Sequence, residues 1–167
     1  MRIFLVGFMG AGKSATGRAL ARRLGALFVD LDERIEARAA MSIVEVFRRH
    51  GEGTFRLAEA GELASCAAYR DVVVATGGGT FTVPANREAI RRLGVSVFLD
   101  VPWGEVQRRL PGKRGERPLF GSPEQAQELY RKRLPAYRLA DVTLQPAAGE
   151  DAEALAGRLA LLLEGSR

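Results

Sequence analysis

Gly7-Phe8-Met9-Gly10-Ala11-Gly12-Lys13-Ser14 follows directly on the apolar run Ile3-Phe4-Leu5-Val6 and leads into a helical pattern carrying Leu20 and Leu24. Its spacing is G-x-x-x-x-G-K-[ST], and a place between strand and helix is what its chemistry requires. The glycines let successive backbone N–H groups turn toward phosphate oxygens, while the helix N-terminus adds partial positive charge. A lysine followed by a hydroxyl serves β- and γ-phosphates and a metal ion. A mere glycine-rich turn would need neither Lys13 nor Ser14.

Outward from this loop, short apolar runs alternate with helical patterns. Leu27–Val29 reads as a second strand ending at Asp30, after which Asp32 can cap a helix carrying Ile35. Ser42 and Glu45 have the capping-box spacing, predicting a helix to about His50 and another from near Gly53 toward Tyr69. Val72-Val73-Val74 is a β-branched run of the kind covered on both faces in a parallel sheet, and Gly77-Gly78-Gly79 follows it. A helix from Pro84 to Gly94, a strand at Val95–Leu99, a helix at Trp103–Leu110 and a polar loop at Pro111–Gly121 come next. The chain closes with a helix at Pro123–Leu134, a short strand at Val142–Leu144 and a helix with a Leu155, Leu159, Leu162 stripe. This alternation predicts an α/β fold: one three-layer α/β/α domain over 1–167 around a central parallel sheet.

The chain has 167 residues, 47% hydrophobic and 27% charged, enough for one core but not for two independent catalytic domains. No apolar run could span a bilayer, the N-terminus lacks a signal-peptide pattern, and Cys66 has no disulfide partner. A soluble protein of a reducing cytoplasm is expected. The net charge of +5 could attract nucleic acid, but arginines such as Arg108, Arg109, Arg114 and Arg117 suit nucleotide phosphates equally, and no aromatic-basic interleaving is present. Partners are therefore expected to be small molecules, with no nucleic acid, no membrane and a monomeric chain.

Many loop-bearing ATPases and GTPases carry a metal-holding carboxylate at the end of a buried strand. Here the valine strand ends in Ala75-Thr76, and Asp30 and Asp32, leaving the second strand two residues apart, are the replacements. Together with Ile35-Glu36, Phe55-Arg56, the triple glycine, Arg117-Pro118-Leu119 and Arg133-Leu134-Pro135-Ala136-Tyr137, these motifs in this order resemble shikimate kinase. The match extends from Ile3 to about Asp141.

The resemblance implies a nucleoside monophosphate kinase-like fold with an acceptor-binding helical region at about 32–60 and a lid at about 111–121. It implies transfer of the γ-phosphoryl group of ATP to the 3-hydroxyl of shikimate, in chorismate and aromatic amino-acid biosynthesis, with Mg²⁺. Lys13, Asp32 and Arg117 match the catalytic positions. Gly10, Ala11, Gly12, Lys13, Ser14, Ala15, Arg109 and Arg117 match the ATP site, and Ser14 and Asp30 the metal site. Asp32, Arg56, Gly77, Gly78, Gly79 and Arg133 match the shikimate site, with Arg56 and Arg133 as forks for its carboxylate. Glu59, one turn after Arg56, can orient it; Phe47 and Phe55 either cover the ring or pack the core.

Three departures stand out. Ala15 replaces a common threonine that would meet the α-phosphate, the stretch between Arg109 and Arg117 is one residue longer than usual, and the loop near Gln145 and Pro146 names no adenine contact. His50 belongs at a helix end, and Trp103 and Cys66 read as structural. The competing readings are another small-metabolite kinase of this fold, gluconate-type or nucleoside monophosphate-type, and a non-catalytic nucleotide- or RNA-binding module. Asp32 and Arg117 oppose the last, because binding alone needs neither.

Overall fold

Strands with no alternation of polar and apolar residues can be stable only when both faces are covered, and the valine and leucine runs of this chain meet that condition in the interior of one sheet. The structure, a computed structural model, describes residues 1–110 and 121–165. Among these, β1 (Arg2–Val6), β2 (Leu27–Asp30), β3 (Val72–Ala75), β4 (Val95–Leu99) and β5 (Val142–Leu144) form a parallel sheet in the order β2-β3-β1-β4-β5. Ile3, Phe4, Leu5, Val6, Val72, Val73, Val74 and Val97 are fully buried.

Parallel neighbours need crossover helices, and right-handed crossovers decide their faces. The connection from β1 to β2 runs opposite to all later ones, so α1 (Lys13–Leu24) lies on one face. α2 (Leu31–Ala39), α3 (Ile43–Ser65) and α4 (Pro84–Leu93) lie on the other, followed by α5 (Trp103–Arg109) and α6 (Pro123–Tyr137). α7 (Ala152–Glu164) returns to pack on α1. This is the expected three-layer α/β/α arrangement. Because the helices after β1 and β3 depart to opposite faces, a crevice opens between the carboxyl ends of these neighbouring strands.

Several local expectations are corrected. Asp30, not Asp32, caps α2: the helix begins without a loop after β2, and the Asp30 carboxylate accepts from the N–H groups of Asp32 and Glu33. α3 keeps its break, with Gly51 at φ 81° and ψ 170°, but ends at Ser65 and reaches Tyr69 only through a 3-10 turn at Cys66–Ala68. α6 continues through Pro135 to Tyr137, since Tyr137 is pinned by a hydrogen bond to Gly78 and by stacking on Phe98. The α7 seam is Leu155, Leu159 and Leu163, while Leu162 is 46% exposed, because the helix meets α1 along one line only. Arg117 and nearly all of the expected lid lie outside the described residues.

α2 and α3 build a separate small core from Ile35, Ile43, Val46 and Phe55. Glu62 of α3, 3% exposed, ties them together by accepting ion pairs from Arg34 (3.2 Å) and Arg38 (2.6 Å) of α2. Replacing Glu62 with alanine strands two guanidinium groups, of which Arg38 can turn to water, so a cost of about 1–3 kcal/mol is expected. Glu62→Ala should lower the thermal midpoint by roughly 3–10 °C, and Arg38→Ala, which takes the closer of the two cations from a buried carboxylate, should lower it as well; calorimetry of both variants checks this.

Candidate active site at the carboxyl edge of the sheet

The loop after β1 curls as its glycines permit. Gly10 and Gly12 take φ of 78° and 87°, left-handed values that side chains resist, and Gly12 is the N-cap of α1. Lys13, 9% exposed, arches over the loop and donates to the carbonyls of Gly7 (2.8 Å) and Phe8 (2.9 Å). Ser14 Oγ donates to Asp30 Oδ2 at 2.5 Å. That bond is possible because Asp30 ends β2 directly beside Ala75 of β3, so a carboxylate absent from the expected strand is supplied by its neighbour.

A cleft of about 810 Å³ runs over the loop, lined among others by Gly10, Gly12, Lys13, Ser14, Ala15 and Asp30, and reaches Glu36 and Ser42 on the far side. Asp32 lines both this cleft and a smaller pocket beside it. The smaller pocket collects Arg56, Glu59, Gly77, Gly78, Gly79 and Arg133 from α3, the turn after β3 and α6. Phe47 and Phe55, 4.8 Å apart, line it as well, with Phe55 also in the small core, so pocket wall and packing are both served.

Close approach explains the triple glycine. A Cβ on Gly79 would lie 2.5 Å from Arg56 Nη2, and one on Gly78 would lie 3.0 Å from Arg133 Nη1. The guanidinium groups therefore rest against bare backbone. Arg56 Nη1 donates to Glu59 Oε2 at 2.8 Å, the orienting contact that the helical spacing anticipates, and Glu59 is fully buried. Arg133 is 8% exposed.

Two residues of this region carried no role in the sequence reading. The Tyr137 hydroxyl donates to the Gly78 carbonyl at 2.6 Å, and burial pushes its pKa up to about 12. Thr80 donates to Glu59 Oε1 at 2.5 Å. Tyr137 stands within the quoted 133–137 motif, which was a signal, whereas nothing in the sequence singles out Thr80. Arg109 sits on the rim, donating to Gly10 O (3.0 Å) and Glu105 (3.0 Å). The carbonyl of Gln145 is engaged by Arg158 at 2.6 Å. His50 is exposed just before the Gly51 break.

Among the described residues no group of three or more His, Cys, Asp or Glu side chains could hold a metal ion by itself. The hydroxyl of Ser14 and the carboxylate of Asp30 are hard oxygen donors at the edge of the cleft. Such a sparse set fits Mg²⁺, which keeps several waters and takes most other ligands from phosphate.

The shikimate kinase family model matches residues 9–163. The chain belongs to the shikimate kinase family. A shikimate kinase of Halorhodospira halophila (strain DSM 244 / SL1) is 45% identical over 98% of this chain and 94% of its own length. The structure of shikimate kinase from Acinetobacter baumannii in complex with shikimate is 34% identical, with a TM-score of 0.93 over 99% of this chain and 94% of that one. A gluconokinase from Sinorhizobium meliloti 1021, covering 99% of this chain and 96% of its own, has a TM-score of 0.56 at 20% identity and shares the fold alone. No helix among the described residues is long and apolar enough to cross a membrane.

Gly79 has φ −92°, an ordinary value, and the atoms nearest its added Cβ belong to the Arg56 guanidinium, which Glu59 holds. Gly79→Ala should therefore displace the Arg56 guanidinium and, by taking a donor from the fully buried Glu59, lower the thermal midpoint by roughly 2–10 °C; calorimetry and a crystal structure of the variant check the two halves.

Proposed function

We propose that the chain transfers the γ-phosphoryl group of ATP to the 3-hydroxyl of shikimate, with ATP in the large cleft and shikimate in the smaller pocket. The observation that carries this reading is Asp32, which stands at the junction of the two cavities with Lys13 on one side and Arg56, Arg133 and the glycine run on the other. A γ-phosphate over the loop and a hydroxyl beside Asp32 would face each other there.

In this reading Gly10, Ala11 and Gly12 offer backbone N–H groups to the phosphates, and Lys13 leaves its carbonyl partners to neutralise β- and γ-oxygens. Ala15, exposed at the cleft wall, brings no hydroxyl to the α-phosphate. Ser14 and Asp30 would hold the Mg²⁺ that arrives with ATP, and the ion would supply positive charge to the phosphates. Arg56 and Arg133 take the shikimate carboxylate by bidentate hydrogen bonds, assisted by the Gly78 N–H, since the Gly78 carbonyl is already held by Tyr137. Gly77 and Gly79 keep the backbone low enough for this approach.

Asp32 accepts a hydrogen bond from the attacking hydroxyl and takes its proton as the new O–P bond forms. In a loose transition state positioning is the larger part of its contribution. Arg117, by resemblance, belongs to a lid at about 111–121 that neutralises the phosphoryl group and excludes water. Arg109 on the rim is the proposed adenine-side cation. The region 32–60 forms the acceptor-binding unit, and the protein works as a cytoplasmic monomer.

A coupled ADP-release assay across shikimate, a shikimate analogue lacking the carboxylate, gluconate and nucleoside monophosphates tests the reading. Shikimate alone should support fast turnover. Arg56→Ala and Arg133→Ala should each raise the shikimate KM about tenfold or more, as befits a charge-assisted contact, with the ATP KM little changed. Asp32→Asn should lower kcat by roughly 10²–10⁴ with a smaller effect on shikimate binding. Equal turnover of the analogue, together with unchanged kinetics of Arg56→Ala, would place the acceptor elsewhere.

A further inference from the structure

Gly77 marks a point on which three polar side chains converge. A Cβ there would lie 2.8 Å from Glu59 Oε1, 3.0 Å from Asp32 Oδ1 and 3.1 Å from Thr80 Oγ1. Two carboxylates thus approach one stretch of backbone, and Glu59 is fully withdrawn from water. A buried carboxylate is tolerated only when its oxygens are satisfied. Glu59 meets this by dividing its oxygens: Oε2 accepts from Arg56 at 2.8 Å, and Oε1 accepts from the Thr80 hydroxyl at 2.5 Å.

Thr80 is itself held rigidly. Its N–H donates to the Gly77 carbonyl (3.2 Å), and its own carbonyl accepts from Asn86 Nδ2 (3.1 Å) at the start of α4. Its side chain is 0% exposed, so no water can replace the hydroxyl without rearrangement. Glu59 in turn is the Arg56 partner nearest the pocket, the other being the exposed Glu52 at 3.4 Å.

We propose that Thr80 is a positioning residue for the acceptor site, its hydroxyl fixing the Glu59 carboxylate so that Oε2 holds the Arg56 guanidinium facing the pocket. The inference rests on the reading of Arg56 as the cation for the acceptor carboxylate. Without the hydroxyl, Oε1 becomes a buried charged oxygen with no donor. Glu59 then relieves itself by turning Oε1 toward Arg56, which withdraws the guanidinium from the substrate side. The effect falls on acceptor binding, because Thr80 reaches neither the phosphate loop nor Asp30.

Thr80→Val removes the hydroxyl at nearly constant shape, and Thr80→Ser keeps it. The expected result is a shikimate KM raised about tenfold in Thr80→Val, kcat and ATP KM within about threefold of the parent, and recovery to within about threefold in Thr80→Ser. Should Thr80→Val fail to fold, Thr80→Ala set against Thr80→Ser reads the same quantity. Arg56→Ala is measured alongside. If it raises the shikimate KM while Thr80→Val or Thr80→Ala does not, Thr80 has no positioning role and the reading of Arg56 stands. If Arg56→Ala leaves the KM unchanged, the reading of Arg56 falls and this inference with it. Parallel losses in the shikimate and ATP KM of Thr80→Val, not restored by serine, would mean general loosening and would also overturn it.

Discussion

Glu59 is an acidic side chain with no exposure to solvent, in a protein whose other described acidic groups mostly reach water, and much of the smaller pocket follows from satisfying its two oxygens there. Stripping a carboxylate of water costs several kcal/mol, so its oxygens must find donors of fixed geometry. Arg56 supplies one from the same helix and Thr80 the other from the turn after β3. The contact between α3 and the glycine run is thereby determined to within a hydrogen-bond length. The backbone must come close enough that any side chain at 77 or 79 would collide with these groups, which is why glycines stand there. The smaller pocket is thus assembled around a buried acidic side chain whose two oxygens tie α3 to the turn after β3.

The other half of the site depends on strand register. Asp30 lies beside Ala75, and the Thr76 N–H and hydroxyl both donate to the Leu5 carbonyl, so β1, β2 and β3 end at one level. Ser14 at the first turn of α1 then meets Asp30 without any intervening loop. Since Asp30 also caps α2, the residue that faces the phosphate region simultaneously directs Asp32 into the junction between the two cavities. One side chain links the phosphate loop to α2, its Oδ2 accepting from Ser14 and its Oδ1 from the Asp32 and Glu33 N–H groups.

Elsewhere the packing is conventional. Phe8 of the phosphate loop meets Trp103 and Tyr130 edge-on, anchoring the loop to α5 and α6. Tyr137 combines stacking on Phe98 with its bond to Gly78, which ties α6, and so Arg133, to the glycine run. These contacts hold the phosphate loop and Arg133 against cavities that glycine backbone and side chains line together.

Local periodicity and turn chemistry determined the strands, most helix starts and the phosphate loop, because each depends on neighbours within a few residues. The motif at 7–14 dictated its own geometry, and the spacing of Arg56 and Glu59 dictated a helical ion pair. What required the tertiary structure was everything decided by groups far apart in sequence. Asp30 took the cap from Asp32 because β2 runs straight into α2; α6 ran past Pro135 because Tyr137 finds its partners 39 and 59 residues away, at Phe98 and Gly78. Thr80 became part of the site only through a buried carboxylate 21 residues earlier. A threonine in a turn has no pattern of its own, and only burial beside Glu59 gives its hydroxyl a partner.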